Sequence, residues 1–290
     1  MLRSSIILCC SLLAASASAQ EVSFESPEGW AMAYTSTSTF NLGHNPPNAV
    51  DLGDMKLSAT LSSIPRLSEL QQRVGFGGAK DEDLNKSPVF GRIRFGVGLI
   101  WDTTLELSWT PPIEISGAQP QGVWGAAISR PVIQGDNLNL GLRLFATTGD
   151  VEADVTCSGD IVNTEPYSPG NTVGCIGASK DRMSVDHVGA EAILSYENLK
   201  SGITPWFSFA STRVDSSVKI DAPLSSGREL ATIRSDGTVQ TYSLGFSFNI
   251  GERQMISLAT SYTPLDVERS TNLGDRDSFW NYSAEFSLFF

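Results

Sequence analysis

Histidine is nearly absent from the chain. His44 and His187 are the two in 290 residues. Chemistry that needs several imidazoles, such as a multi-histidine metal centre, is therefore excluded. Cysteine is scarce too, with four in all, and Cys9 and Cys10 lie inside an apolar N-terminal run. No CxxC spacing occurs, which leaves a redox or thiolate-metal role without a motif. Bases are outnumbered, 20 Lys and Arg against 32 Asp and Glu. A nucleic-acid partner needs a basic stripe, so none is expected. Beyond the N-terminal leader no apolar run reaches the roughly 18 residues that a membrane-spanning helix requires.

Residues 1–19 have the order of a secretory leader: Arg3, then the apolar run 6–15, then the small-residue site Ala17-Ser18-Ala19. The mature chain is expected to begin at Gln20, and loss of Arg3 moves the net charge from -12 to about -13. An exported chain meets an oxidising compartment. The remaining pair, Cys157 and Cys175, is then expected to form a disulfide. Closing that loop would stabilise the fold by roughly 3 kcal/mol in the chain-entropy picture.

The clearest pattern is at the end of the chain, residues 278–290. Trp280, Tyr282, Ala284, Phe286, Leu288 and Phe290 share one parity, against Phe279, Asn281, Ser283, Glu285, Ser287 and Phe289. A period of two marks a strand with one apolar face. Tyr282, Phe286, Leu288 and the terminal Phe290 resemble the closing strand of Gram-negative outer-membrane β-barrels, in which a terminal Phe marks the chain for assembly. The resemblance implies an outer-membrane location. It also implies contact with outer-membrane lipid and lipopolysaccharide, with periplasmic chaperones and with the barrel-assembly machinery.

The same alternation recurs upstream. Strands are expected at 54–63, 89–100, 104–109, 122–132, 138–144, 184–196, 203–213, 241–248, 255–263 and 278–290. The intervening connections alternate between short and longer, as in an up-and-down transmembrane β-barrel. The expectation is therefore an all-β fold: an antiparallel barrel over 54–290 with ten strands, or twelve as the alternative. Long loops are expected at 66–87, 149–182 and 214–237, with a medium one at 264–277. Residues 20–53 are harder to place. Trp30, Met32 and Tyr34 alternate and hint at a strand, and Gly43 to Asn48 breaks any element. The segment is read as a periplasmic extension, a lumen plug or one more strand. The piece 45–50, Asn-Pro-Pro-Asn-Ala-Val, resembles the N-terminal hatch of the long-chain fatty-acid transporter family.

Parity sends Lys56, Arg92, Arg94, Glu106, Arg143, His187, Glu191 and Glu285 to the lumen. Charges buried on one interior face must pair. They form either a structural network or a charged constriction. Trp101, Trp109, Trp206, Trp280, Tyr242 and Tyr282 lie near strand ends and read as interfacial girdles. Asp150, Glu152 and Asp154 share a face, and Asp275 and Asp277 sit further on, but no ordered calcium spacing appears and no metal is expected. Enzymatic barrels such as the omptins need a rim histidine with acids. Asp186-His187 is the one candidate, and neighbours on a strand point to opposite faces. The expected function is non-enzymatic and without cofactor: passing or binding small solutes through a narrow lumen, hydrophobic ones if residues 20–53 enter it. The alternative is a closed structural or adhesion barrel acting through its loops. An omptin-like hydrolase is more remote.

Overall fold

The computed structural model describes residues 19–46, 50–197, 202–269 and 272–290. The expected leader falls outside the described residues, apart from Ala19. So do residues 47–49 of the hatch-like piece.

Ten long strands form the wall: β1 (Met55–Ser63), β2 (Val89–Leu99), β3 (Thr103–Trp109), β4 (Ala118–Gln134), β5 (Leu138–Ala153), β6 (Asp186–Tyr196), β7 (Ile203–Leu224), β8 (Gly227–Gly251), β9 (Gln254–Arg269) and β10 (Asn272–Phe289). Each pairs antiparallel with its neighbour in sequence. β10 then pairs with β1, from Ser283↔Ser62 to Phe289↔Lys56, and closes the ring. Closure removes every sheet edge within the belt, which is what a sheet needs to stand in lipid. The outward residues of that belt are apolar and exposed, among them Leu57, Phe95, Leu144, Phe207, Leu244 and Phe286. No helix among the described residues is long and apolar enough to cross a membrane.

Three of the expected loops are shorter than the sequence suggested. β5 runs on to Ala153, β7 and β8 meet at a tight turn near Ser225, and β9 reaches Arg269. The wall therefore stands well above the belt on one side. It is low on the other. β3 ends at Trp109 because Pro111 and Pro112 have no N–H to offer a ladder. β4 alternates weakly because its register shifts twice, between Gln121 and Trp124 and between Pro131 and Ile133.

The hinted strand around Trp30 is a helix instead. The helix α1 (Pro27–Ser38) starts at Ser26, whose hydroxyl accepts from the Gly29 N–H at 3.1 Å, with Pro27 at the first turn. Its C-terminal half is a Ser/Thr run that propensity disfavours. The hydroxyls turn back on the helix's own carbonyls, Thr35 to Ala31 at 3.0 Å and Thr37 to Ala33 at 2.7 Å. The run can thus be buried without orphaned donors. α1 is buried nearly all round, with Trp30, Ala33 and Tyr34 packed among inward residues of the wall such as Val214, Val239, Val267 and Phe279. It lies inside the barrel. Before it, Gln20 and Glu21 pair parallel with Ile233 and Arg234 at the tall end of the wall. After it, residues 39–46 and 50–53 run down the lumen to the short-turn end. There the Gly53 N–H donates to the Gly98 carbonyl at 3.0 Å. A Cβ on Gly98 would meet the Asp51 oxygen at 1.9 Å, so the chain leaves the ring where only glycine permits it.

Candidate functional site

Three storeys are stacked along the lumen. The middle one is charged. Glu285 is fully enclosed and gathers Lys56 Nζ at 3.3 Å, Arg94 at 3.3 Å, the Thr60 hydroxyl at 2.8 Å and the Asn45 amide at 2.6 Å. Arg143 pairs with Glu106 at 2.6 Å and also donates to the Asn41 carbonyl. Arg94 lies 3.9 Å from the same Glu106. Arg92 donates to the Thr39 carbonyl at 2.6 Å, and Glu191 accepts from the Gly43 N–H at 2.8 Å. The seven charged residues assigned to the lumen by parity are thus brought together. What parity could not show is their second set of partners: the backbone and side chains of residues 39–45. The network pins the threaded segment to the wall.

His187 is in the lumen but outside that network. Its Nδ1 meets the Val185 carbonyl at 3.0 Å, not Glu191, and its ring packs on Phe40 and Phe145. Asp186 points away and accepts from the Thr148 hydroxyl at 2.7 Å. The two form no dyad. Trp206 corrects the girdle reading. It is buried in the lumen, 2 % exposed, over Gly245, and so is not part of a girdle. Trp101, Trp280, Tyr242 and Tyr282 do face outward.

Below the network is a polar vestibule of about 450 Å³ toward the short turns, with Lys56, Arg94 and Arg143 in its walls. Above it the polarity of the wall inverts. Within the belt, inward positions are polar, such as Arg143, Thr147, Thr212 and Thr241. Higher up the same strands turn Val151, Ala153, Val218, Ile220, Ala231 and Ile233 inward around a cavity of about 480 Å³ beside α1. Their outward neighbours there are Asp150, Glu152, Arg213, Asp215 and Lys219. Glu152 pairs with Arg182 at 3.1 Å, and Asp154 with Lys86 at 2.8 Å. The side chain of Asp275 is not among those described. Among the described residues no group of three or more His, Cys, Asp or Glu is placed to hold a metal ion.

The chamber is roofed by residues 64–88, tied to α1 by the Tyr34 hydroxyl on the Pro65 carbonyl and by the Gly77 N–H on Glu28. Behind that roof the loop after Ala153 is braced by the Cys157–Cys175 disulfide. On the low side the chamber adjoins a second cavity of about 380 Å³, which shares Thr35, Leu84, Val151 and Ala153 with it. This cavity passes through the wall. Its lining includes lumen residues Tyr34 and Arg92 together with Leu61, Ile93 and Ile113, which face outward. The gap exists because the β2–β3 ladder stops at Ile93↔Trp109 and the β3–β4 ladder at Trp109↔Trp124.

The fold has counterparts among solved structures. Outer-membrane protease OmpT of Escherichia coli is 14% identical over 87% of this chain and 100% of its own, with a TM-score of 0.41. The translocator domain of autotransporter NalP from Neisseria meningitidis is 10% identical over 92% and 98%, at 0.40. The toluene transporter TodX of Pseudomonas putida is 10% identical over 84% and 92%, at 0.32. Likeness at this level is one of fold and goes no further. No family model matches the chain. No curated protein matches it in sequence.

Proposed function

We propose that this is a non-enzymatic outer-membrane barrel that binds small hydrophobic molecules in its upper chamber and exchanges them with the membrane through the low side of the wall. The inversion of wall polarity carries the reading. A barrel that merely stood in lipid would need no apolar inward face above the belt, and a soluble extension would not need a cavity there. The long-loop end is then extracellular and the short turns periplasmic. The pinned segment blocks aqueous flow, so the protein in a planar bilayer gives no steady conductance. Tyr282, Phe286, Leu288 and Phe290 present an apolar face to lipid and serve as the assembly signal. Deleting Phe290 lowers the folded fraction seen as a heat-dependent gel shift, and an unchanged fraction removes that role.

The deciding experiment uses a neutral, environment-sensitive naphthyl dye with the full mature protein in nanodiscs. Saturable emission enhancement is expected, and it is lost when Ile220→Asp places a carboxylate in the chamber. A dye signal no larger than that of empty nanodiscs removes the reading. It would favour the second one, a closed barrel acting through its disulfide-braced loop, which the filled lumen also suits.

A further inference from the structure

The chamber is apolar along its length but not at its roof. Glu28, Glu82, Asp181 and Glu229 line it, and no base stands among its lining residues. The cation bonded to Glu82 is Lys80, and it is fully engaged. An ammonium has three N–H donors. Those of Lys80 go to both oxygens of Glu82, at 2.9 Å each, and to the Thr156 carbonyl at 2.7 Å. Asp181 is also satisfied, by the Thr156 N–H at 2.7 Å, the Ser179 hydroxyl at 2.7 Å and the Asp221 N–H at 3.1 Å. Glu82 and Glu229 retain acceptor capacity. Glu229 has no ion pair among the described residues, and each Glu82 oxygen takes a single donor. This end of the chamber thus offers free carboxylate acceptors and no cation of its own. Burial, against the opposing pull of Lys80 and with the help of Asp181 and Glu229, pushes the Glu82 carboxyl up to about 7. The site is short of positive charge.

We infer that the chamber takes amphiphiles whose polar end is a cation, with the ammonium at Glu82 and Glu229 and the alkyl chain along Ile220, Ala231 and Ile233. This rests on the chamber being a ligand site. A carboxylate head group would face like charges with no cation in the lining to offset them, which is costly for a buried charge.

Three ligands with the same ten-carbon chain separate the head group from the tail. Decylammonium, decanol and decanoate are titrated against the bound neutral dye in nanodiscs of zwitterionic lipid, with empty nanodiscs correcting for partition. Decylammonium is expected to displace the dye at concentrations about tenfold or more below decanoate, with decanol between. Glu229→Gln leaves the Lys80–Glu82 pair in place and narrows that ratio while decanol is unchanged. Ile220→Trp fills the cavity and weakens all three alike. If decanoate matches or beats decylammonium while decanol still competes, the head-group inference fails and the chamber stands. If the dye never binds, both fail together.

Discussion

Glu285 joins the wall to the segment that fills it. It is the carboxylate on which Lys56 and Arg94 both converge, and it also holds Asn45 of the plug. Replacing it by Gln removes one charge and leaves two buried cations facing each other. Breaking a buried ionic cluster in this way costs about 3–5 kcal/mol. Glu285→Gln should therefore unfold at clearly lower urea, followed by tryptophan emission, and an unmoved midpoint would show that the plug does not depend on it. Glu82 gives a pH signature of opposite origin. Burial holds its folded-state pKa near 7, above the usual 4.5, so the folded form keeps the proton longer than the unfolded one. Its contribution to stability is full at low pH. It declines as pH rises from about 4.5 to 7 and is flat beyond, a change of about 3 kcal/mol. Glu82→Gln should flatten the stability profile over that window. A variant whose profile keeps the wild-type slope would place the titration elsewhere.

Among the elements, β3 is the shortest wall strand, and the break after it is written in two prolines. Pro111→Thr with Pro112→Val restores two N–H groups at the end of the ladder and should let it lengthen toward β4. The expected outcome is slower exchange of the dye between protein and nanodisc lipid, by stopped-flow emission, with equilibrium affinity kept. Unchanged exchange would mean that ligands do not use this side. Element scale is also where the sequence was most and least legible. The belt strands were readable because lipid on one face and a polar lumen on the other enforce strict alternation. The extended halves of β7 and β8 read as loops because the alternation reverses sign above the belt. Val214, Val218 and Ile220 are inward there, whereas Phe207 and Phe209 are outward. A reversal still has period two, and residues 214–222 and 229–235 carry it. Helix α1 was missed for another reason. A helix buried all round has no polar face, and Trp30, Met32 and Tyr34 fit a strand as well. Ser26-Pro27-Glu28 was the available signal. The charge network was legible by parity, but its backbone partners in 39–45 were not.

At the scale of the whole molecule the direction of threading is the strongest constraint. From Gln20, which pairs with Ile233 at the tall end of the wall, the chain descends through the lumen and enters β1 from the short-turn end at Gly53. If the short turns face the periplasm, Gln20 must lie at the cell surface although the first wall strand starts at the opposite end. That arrangement is unlike a periplasmic extension, which would leave Gln20 and Asp102 on the same side. The two differ in whole cells. A cysteine placed at Gln20 should react with a membrane-impermeant maleimide before the cells are broken. One placed at Asp102, in the exposed turn between β2 and β3, should react only afterwards. The Cys157–Cys175 disulfide leaves both wild-type thiols of residues 20–290 unreactive, so the background from them is low. Labelling in the reverse order would turn the barrel over in the membrane and place the apolar chamber in the periplasm. Labelling of neither in intact cells would mean that the segment is not threaded through the ring to the surface.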